Sequence, residues 1–185
     1  MEEILDSATI VTIVGNATRE VLSTMLGLEA ETEESYMETA PHSNTEGVVS
    51  FVGLAGVGRA GDHWAGTGTL RCSSVAACRF ASRFLMTELP SVDDEVLDAF
   101  AELTNMIIGN FKNEVEKRVG PTGLSIPTVI HGRNFSTRSL SRETWTVVPF
   151  LCGEDRIEVK ICLKDREPNT FAHRYGERQE FILTR

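Results

Sequence analysis

The sequence predicts an α/β protein of the α+β type, one domain in which an antiparallel-rich mixed sheet packs with about three helices. Three observations carry this. Runs of strand-like residues flank a pair of helical segments, and the regular β–α–β alternation of a parallel sheet is absent. Residues 96–119, VLDAFAELTNMIIGNFKNEVEKRV, are long enough for a multi-turn helix and apolar around most of its circumference. Such a helix must be buried on nearly every side, which makes it the axis of the domain.

Taken in order, residues 8–26 read as an amphipathic helix with Val14, Val21, Leu22, Met25 and Leu26 on its apolar side. Gly27 is placed to stop it. Residues 28–46 are acidic, broken by Pro41 and Asn44, and suit an edge strand followed by a loop. Residues 47–55 (GVVSFVGLA) are apolar and β-branched, as a buried strand requires. The glycines of 56–62 suit a hairpin connection into a second, glycine-interrupted strand over 63–71. Ser73 or Ser74 can cap a helix over 75–89, Pro90 closes it, and Asp93 or Asp94 can open the central helix. After the break Gly120-Pro121-Thr122-Gly123, residues 124–131 form a strand whose Pro127 belongs at an edge or irregularity. Residues 144–151 and 156–163 make a last hairpin around Gly153-Glu154-Asp155. The domain is expected to span 1–164, with 165–185 a polar extension in which 180–184 could add a strand.

The chain has 185 residues, 41% of them hydrophobic, enough for one domain with a substantial core. Its net charge of −9, from 27 acidic and 18 basic residues, disfavours a nucleic-acid partner, because phosphate backbones are met with Lys/Arg-rich surfaces. Cys72, Cys78, Cys152 and Cys162 form no CxxC pair and suit small buried hydrophobes in a reducing compartment. No metal site is expected of them. The acidic N-terminus (Glu2, Glu3, Asp6) does not read as a signal peptide, and no apolar run approaches a membrane span. The expected location is the cytoplasm.

The chemistry lies on the polar strip of the central helix. Asp98, Glu102, Asn105, Gly109, Lys112 and Glu116 share one narrow face, and Glu102 and Asn105, at i and i+3, are neighbours on it. Asn can donate and accept hydrogen bonds, so it can hold a water in a chosen orientation; Glu can pair with a Lys across an interface. Gly109 costs about 1 kcal/mol relative to Ala inside a helix, which is explained if something approaches the backbone there. A solvated polar stripe with Gly109 serving internal packing accounts for the same spacing. His42, His63, His131 and His173 stand at no recognisable spacing from a Cys or carboxylate. The glycine run 53–58 leads into no helix N-terminus, as a phosphate cradle requires, and no hydrolase or nucleotide-binding signature occurs.

The literal string carries more than the periodicity. Residues 102–112, ELTNMIIGNFK, resemble the ExxN…GN helix of the CheX branch of chemotaxis phosphatases. Residues 23–27 (STMLG) are similar to that family's first-helix ending, and 47–54 with 68–80 to its strand–strand–helix middle. Residues 124–130 (LSIPTVI), with Gly132 after them, resemble its SLPTV strand. Asp98 matches the Asp or Ser four residues before the Glu, and Pro127 lies within about one residue of the family's downstream Pro. The likeness is collinear over residues 8–164.

The resemblance implies hydrolysis of the aspartyl phosphate on a CheY-like response regulator. Asn105 would enter the regulator's active site and orient the attacking water, and Glu102 would contact its Lys. Asp98, Gly109 and Lys112 would line the partner contact. The chain would need no cofactor of its own; Mg²⁺ would belong to the regulator. A single ExxN implies the single-motif, homodimer-forming type. The connection 57–64, longer than usual, and the extension 164–185 depart from the family. A non-catalytic module binding a receiver domain or a flagellar component is the alternative.

Overall fold

The computed structural model describes residues 5–39, 46–58, 61, 63–133, 135 and 144–166. Asp6 opens helix α1 (Ser7–Leu26) by accepting the Thr9 N–H at 2.7 Å. Gly27 closes it: its φ of 61° lets the N–H groups of Gly27 and Leu28 turn back to the carbonyls of Ser23 and Leu22. Met25, expected on the apolar side, is instead partly exposed, and Ile10, Ile13 and Ala17 join the buried face. The expected edge strand is two short pieces, β1 (Glu31–Thr32) and β2 (Tyr36–Glu38), both antiparallel to the later strand β7 (Trp145–Cys152). Pro41 and Asn44 lie outside the described residues.

Strands β3 (Glu46–Val57) and β4 (His63–Cys72) form the long hairpin, and both outrun the expected bounds. Gly56 is therefore a strand residue, paired with Trp64. A Cβ on it would stand 2.5 Å from the buried indole, so the ring packs on bare backbone. Helix α2 (Ser74–Leu85) starts at its Ser73 cap but ends four residues before the expected Leu89. Met86 there takes a left-handed φ of 53°, and the Ser82 hydroxyl oxygen accepts the Leu89 N–H at 3.0 Å, drawing the link toward α3 (Asp94–Val119). Asp93 caps α3 through the Val96 N–H at 3.0 Å.

The strand expected over 124–131 is divided into β5 (Thr122–Leu124) and β6 (Thr128–Arg133), both paired with β3. Leu54 faces Leu124 whereas Phe51 faces Thr128, so three steps along β3 match four along its partner. Residues 125–127 hold that one-residue bulge, and Pro127 thus lies both at an irregularity and on the sheet's edge. The last hairpin joins β7 to β8 (Asp155–Arg166) with Cys152 opposite Asp155, leaving Gly153 at φ 66° to make a two-residue turn with Glu154. Residues 167–185, including the strand expected over 180–184, lie outside the described set.

The strands lie in the order β1-β7-β8-β4-β3-β5, with β2 also on β7 and β6 on β3, and every described pairing is antiparallel. The helices pack on one face, where Val48, Val52, Leu70, Val148 and Val159 join Phe80, Phe100 and Phe111 in the core. The other face carries a ladder of charge: Arg71 bonds Glu158 at 3.1 Å, and buried Lys160 reaches Glu38 at 2.7 Å. Cys72, Cys152 and Cys162 are buried and Cys78 is partly buried.

Candidate functional site

α3 lies against α1 and α2 on its flanks and β3, β4, β5 and β6 beneath. Val96, Ala99, Phe100, Leu103, Ile107, Ile108, Phe111 and Val115 are buried. Thr104 is buried too, its hydroxyl satisfied by donation to the Phe100 carbonyl at 2.7 Å. The seat on the sheet depends on Gly68, since a Cβ there would stand 2.6 Å from Ile108 Cδ1. On the α1 side, Asn110 Nδ2 donates to Glu20 at 3.3 Å. The helix is held on three sides, and its polar strip is what remains.

At about 100° per residue, positions 98, 102, 105, 109, 112 and 116 fall within an arc of about 80°. Asp98 and Glu102 are exposed; Asn105, Gly109 and Lys112 are half-buried. Neither the Glu102 nor the Asn105 side chain forms a hydrogen bond or ion pair with a described residue. The far end of the strip differs. Lys112 is ion-paired with Glu116, which also accepts the Thr122 N–H at 3.4 Å, and the ammonium holds the Glu116 carboxyl below its usual pKa. The strip thus has a satisfied end beside β5 and an open end around Glu102 and Asn105.

Gly109 lies between the two. A Cβ built on it would meet only Leu124 Cδ1, at 4.0 Å, which is ordinary contact. Packing among the described residues gives no reason for a glycine here. Beside it, the bulge at Ser125-Ile126-Pro127 presents an Ile126 side chain that is 86% exposed. The sequence pattern marked Pro127 and left Ile126 unremarked, because an isoleucine between Ser and Pro in a strand reads as core.

Other features of the described residues offer less chemistry. No group of three or more His, Cys, Asp or Glu there could hold a metal ion, and no helix is long and apolar enough to cross a membrane. His131 is exposed and lies 3.4 Å from the Ser74 hydroxyl; His42 and His173 lie outside the described set. A groove of about 780 Å³ between α2 and the β7–β8 turn is lined by Cys78, Arg79, Arg83 and Cys152. Arg79 in it already pairs with Asp155 at 3.0 Å and Glu154 at 3.8 Å.

A family model described as chemotaxis phosphatase CheX matches residues 49–151, a span that contains the whole of α3 and the bulge. The chain belongs to the CheX family. Solved CheX-like structures share its fold. A CheC-like superfamily protein from Shewanella sp. PV-4 superposes with a TM-score of 0.72 at 21% identity, covering 84% of this chain and 97% of that one. CheX from Desulfovibrio desulfuricans gives 0.71 at 22% identity over 84% and 99%. The CheX–CheY–BeF3–Mg²⁺ complex from Borrelia burgdorferi gives 0.69 at 25% identity over 84% and 97%. No curated protein matches the chain.

Proposed function

We propose that this CheX-family chain hydrolyses the aspartyl phosphate of a CheY-like receiver domain in chemotaxis or related two-component signalling, with Glu102 and Asn105 as the working pair. One observation carries the reading. Glu102 and Asn105 project without partners, among the described residues, from a helix otherwise locked into the core. Family membership and the solved complex of a relative with CheY support the choice of partner.

In this mechanism α3 enters the receiver's active site. The Asn105 side-chain carbonyl accepts an O–H of a water and aligns its oxygen with phosphorus. The water oxygen bonds to phosphorus as the bond to the aspartyl oxygen breaks; inorganic phosphate leaves and the receiver's carboxylate is restored. Glu102 pairs with the receiver's Lys and fixes the approach. The chain contributes position rather than a nucleophile, the ordinary mode of phosphoryl transfer. Mg²⁺ belongs to the receiver. Asp98, Gly109 and Lys112 are assigned to the docking rim; Lys112 must leave Glu116 to serve a partner, so its contribution is the smallest. A homodimer is part of the same reading, and light scattering at micromolar concentration checks it: a monomer there counts against it.

The test mixes pure protein with phosphorylated receiver domain and Mg²⁺ and follows phosphate release. Asn105→Ala is expected to lose about 100-fold in kcat with binding kept. Glu102→Ala is expected chiefly to raise KM. Release at the receiver's own rate sinks the enzymatic reading, and binding without acceleration selects a non-catalytic module instead.

A further inference from the structure

The bulge between β5 and β6 is built, not slack. Gly53 N–H donates to Ser125 Oγ at 2.8 Å, Ser125 N–H donates back to the Gly53 carbonyl at 2.9 Å, and Ser125 Oγ–H donates to the Ile126 carbonyl at 2.9 Å. Pro127 locks the backbone on the other side. A Cβ on Gly53 would stand 3.3 Å from Ser125 Oγ, so the glycine leaves room for the clasp. All this holds a large aliphatic side chain in water: Ile126 is 86% exposed, the most exposed β-branched hydrophobe among the described residues. No hydrophobic cluster of the described residues includes that side chain.

Its position can be read from the geometry. The chain runs back along α3 after the turn at Gly120, since Thr122 N–H meets Glu116 and Leu124 meets Gly109. A strand advances about 3.3 Å per residue and a helix about 1.5 Å. Two residues beyond Leu124 therefore correspond to about four along α3, from Gly109 back to the level of Asn105. By that rise Ile126 stands at about the level of Asn105, near the open end of the strip.

We propose that Ile126 is a preformed apolar anchor that seats this chain on its receiver domain, filling an apolar pocket at the edge of the phosphorylated site. The inference rests on the assignment of Glu102 and Asn105 to that receiver. A rigid aliphatic knob adds affinity without the entropic cost of ordering a flexible side chain. It also orients the helix, because a polar pair and an apolar knob on two elements define one approach and not its reverse. Ile126 touches no reacting atom and acts on docking alone.

The experiment measures binding to beryllofluoride-activated receiver domain and turnover on the phosphorylated one, for wild type, Ile126→Ala, Ile126→Asp and Ile126→Val. Ile126→Ala is expected to raise Kd and KM about tenfold and Ile126→Asp about a hundredfold, with kcat within twofold; Ile126→Val restores most of the affinity. The exposure of Ile126 leaves folding unaffected, which circular dichroism and the thermal midpoint verify. Wild-type Kd, KM and kcat for Ile126→Asp overturn the anchor while the Glu102/Asn105 reading stands. Loss of a dimer in Ile126→Asp with unchanged receiver binding assigns the knob to a second copy and also overturns it. A wild-type protein that neither binds nor dephosphorylates any receiver domain removes both.

Discussion

Gly109 is the residue at which a stability argument and a function argument separate. In a helix interior glycine costs about 1 kcal/mol relative to alanine through backbone entropy. Elsewhere in this chain a crowded neighbour explains a glycine, as with the strand residues Gly68 and Gly56, whose missing Cβ atoms would clash within 2.7 Å. Among the described residues Gly109 has no such neighbour, with Leu124 Cδ1 at 4.0 Å from the added atom. Gly109→Ala is therefore expected to stabilise the fold by about 0.5–1 kcal/mol, raising the thermal midpoint by about 1–4 °C for a domain of this size. The same variant is expected to raise KM for the receiver, because the proposed docking brings the partner's backbone close to that methyl. Calorimetry and steady-state kinetics on one preparation check both halves; a stabilised variant with unchanged KM removes Gly109 from the docking rim.

At the scale of elements, the proposed site is a helix and a bulge set by the sheet below them. Gly68 sits on β4 under α3, and Ile108 lies over it with three atoms within about 3.0 Å of the absent Cβ. Ile108 is fully buried and has nowhere to swing. Gly68→Ala is expected to cost about 1–3 kcal/mol by overpacking and to lift α3, so kcat falls although the substitution is remote from Asn105. Ile108→Val removes the nearest atom. The double variant is expected to be more stable than the sum of the two single changes predicts, a coupling that urea denaturation of all four proteins measures. Strict additivity would place the strain elsewhere.

Across the whole molecule the pH response follows from groups at opposite ends of the scale. Burial holds the Cys152 thiol up at about 11 against an ordinary value of 9.0, and burial pushes Cys72 in the same direction. A folded-state pKa above the unfolded one contributes stability that is complete below pH 9 and is lost as pH rises toward 11. Asp6 and Glu116 run the other way. Their hydrogen bonds to Thr9 and Lys112 lower their pKa values, so their contribution is present above pH 4.5 and fades as pH falls. Stability is expected to be level between about pH 5 and 9 and to decline on both sides. Urea midpoints across that range check it, and Cys152→Ala should flatten part of the alkaline limb. A midpoint that holds from pH 9 to 11 would contradict the buried-thiol argument.

Much of this protein is decided locally. The 3.6-residue period of 96–119, the caps Ser73 and Asp93, the stop at Gly27 and the hairpin around Gly153 each depend on neighbours in sequence, and each appears where the residues put it. The string ELTNMIIGN carried the family likeness for the same reason: it lies within a single helix, α3. Element ends were less legible where distant atoms settle them. α2 stops early because Ser82 captures the Leu89 N–H, and residues 124–131 break in two because Gly53, more than 70 positions away in sequence, clasps Ser125. The roles of the glycines were hidden for that reason too. Spacing along α3 left Gly109 open between packing and approach; where β5 lies decides that, among the described residues, its absent Cβ would meet only Leu124. By itself the sequence determined which side chains share the strip, since helical geometry depends on adjacent residues alone. Tertiary structure decided which of them are already satisfied and what stands beside them, since those partners arrive from other parts of the chain.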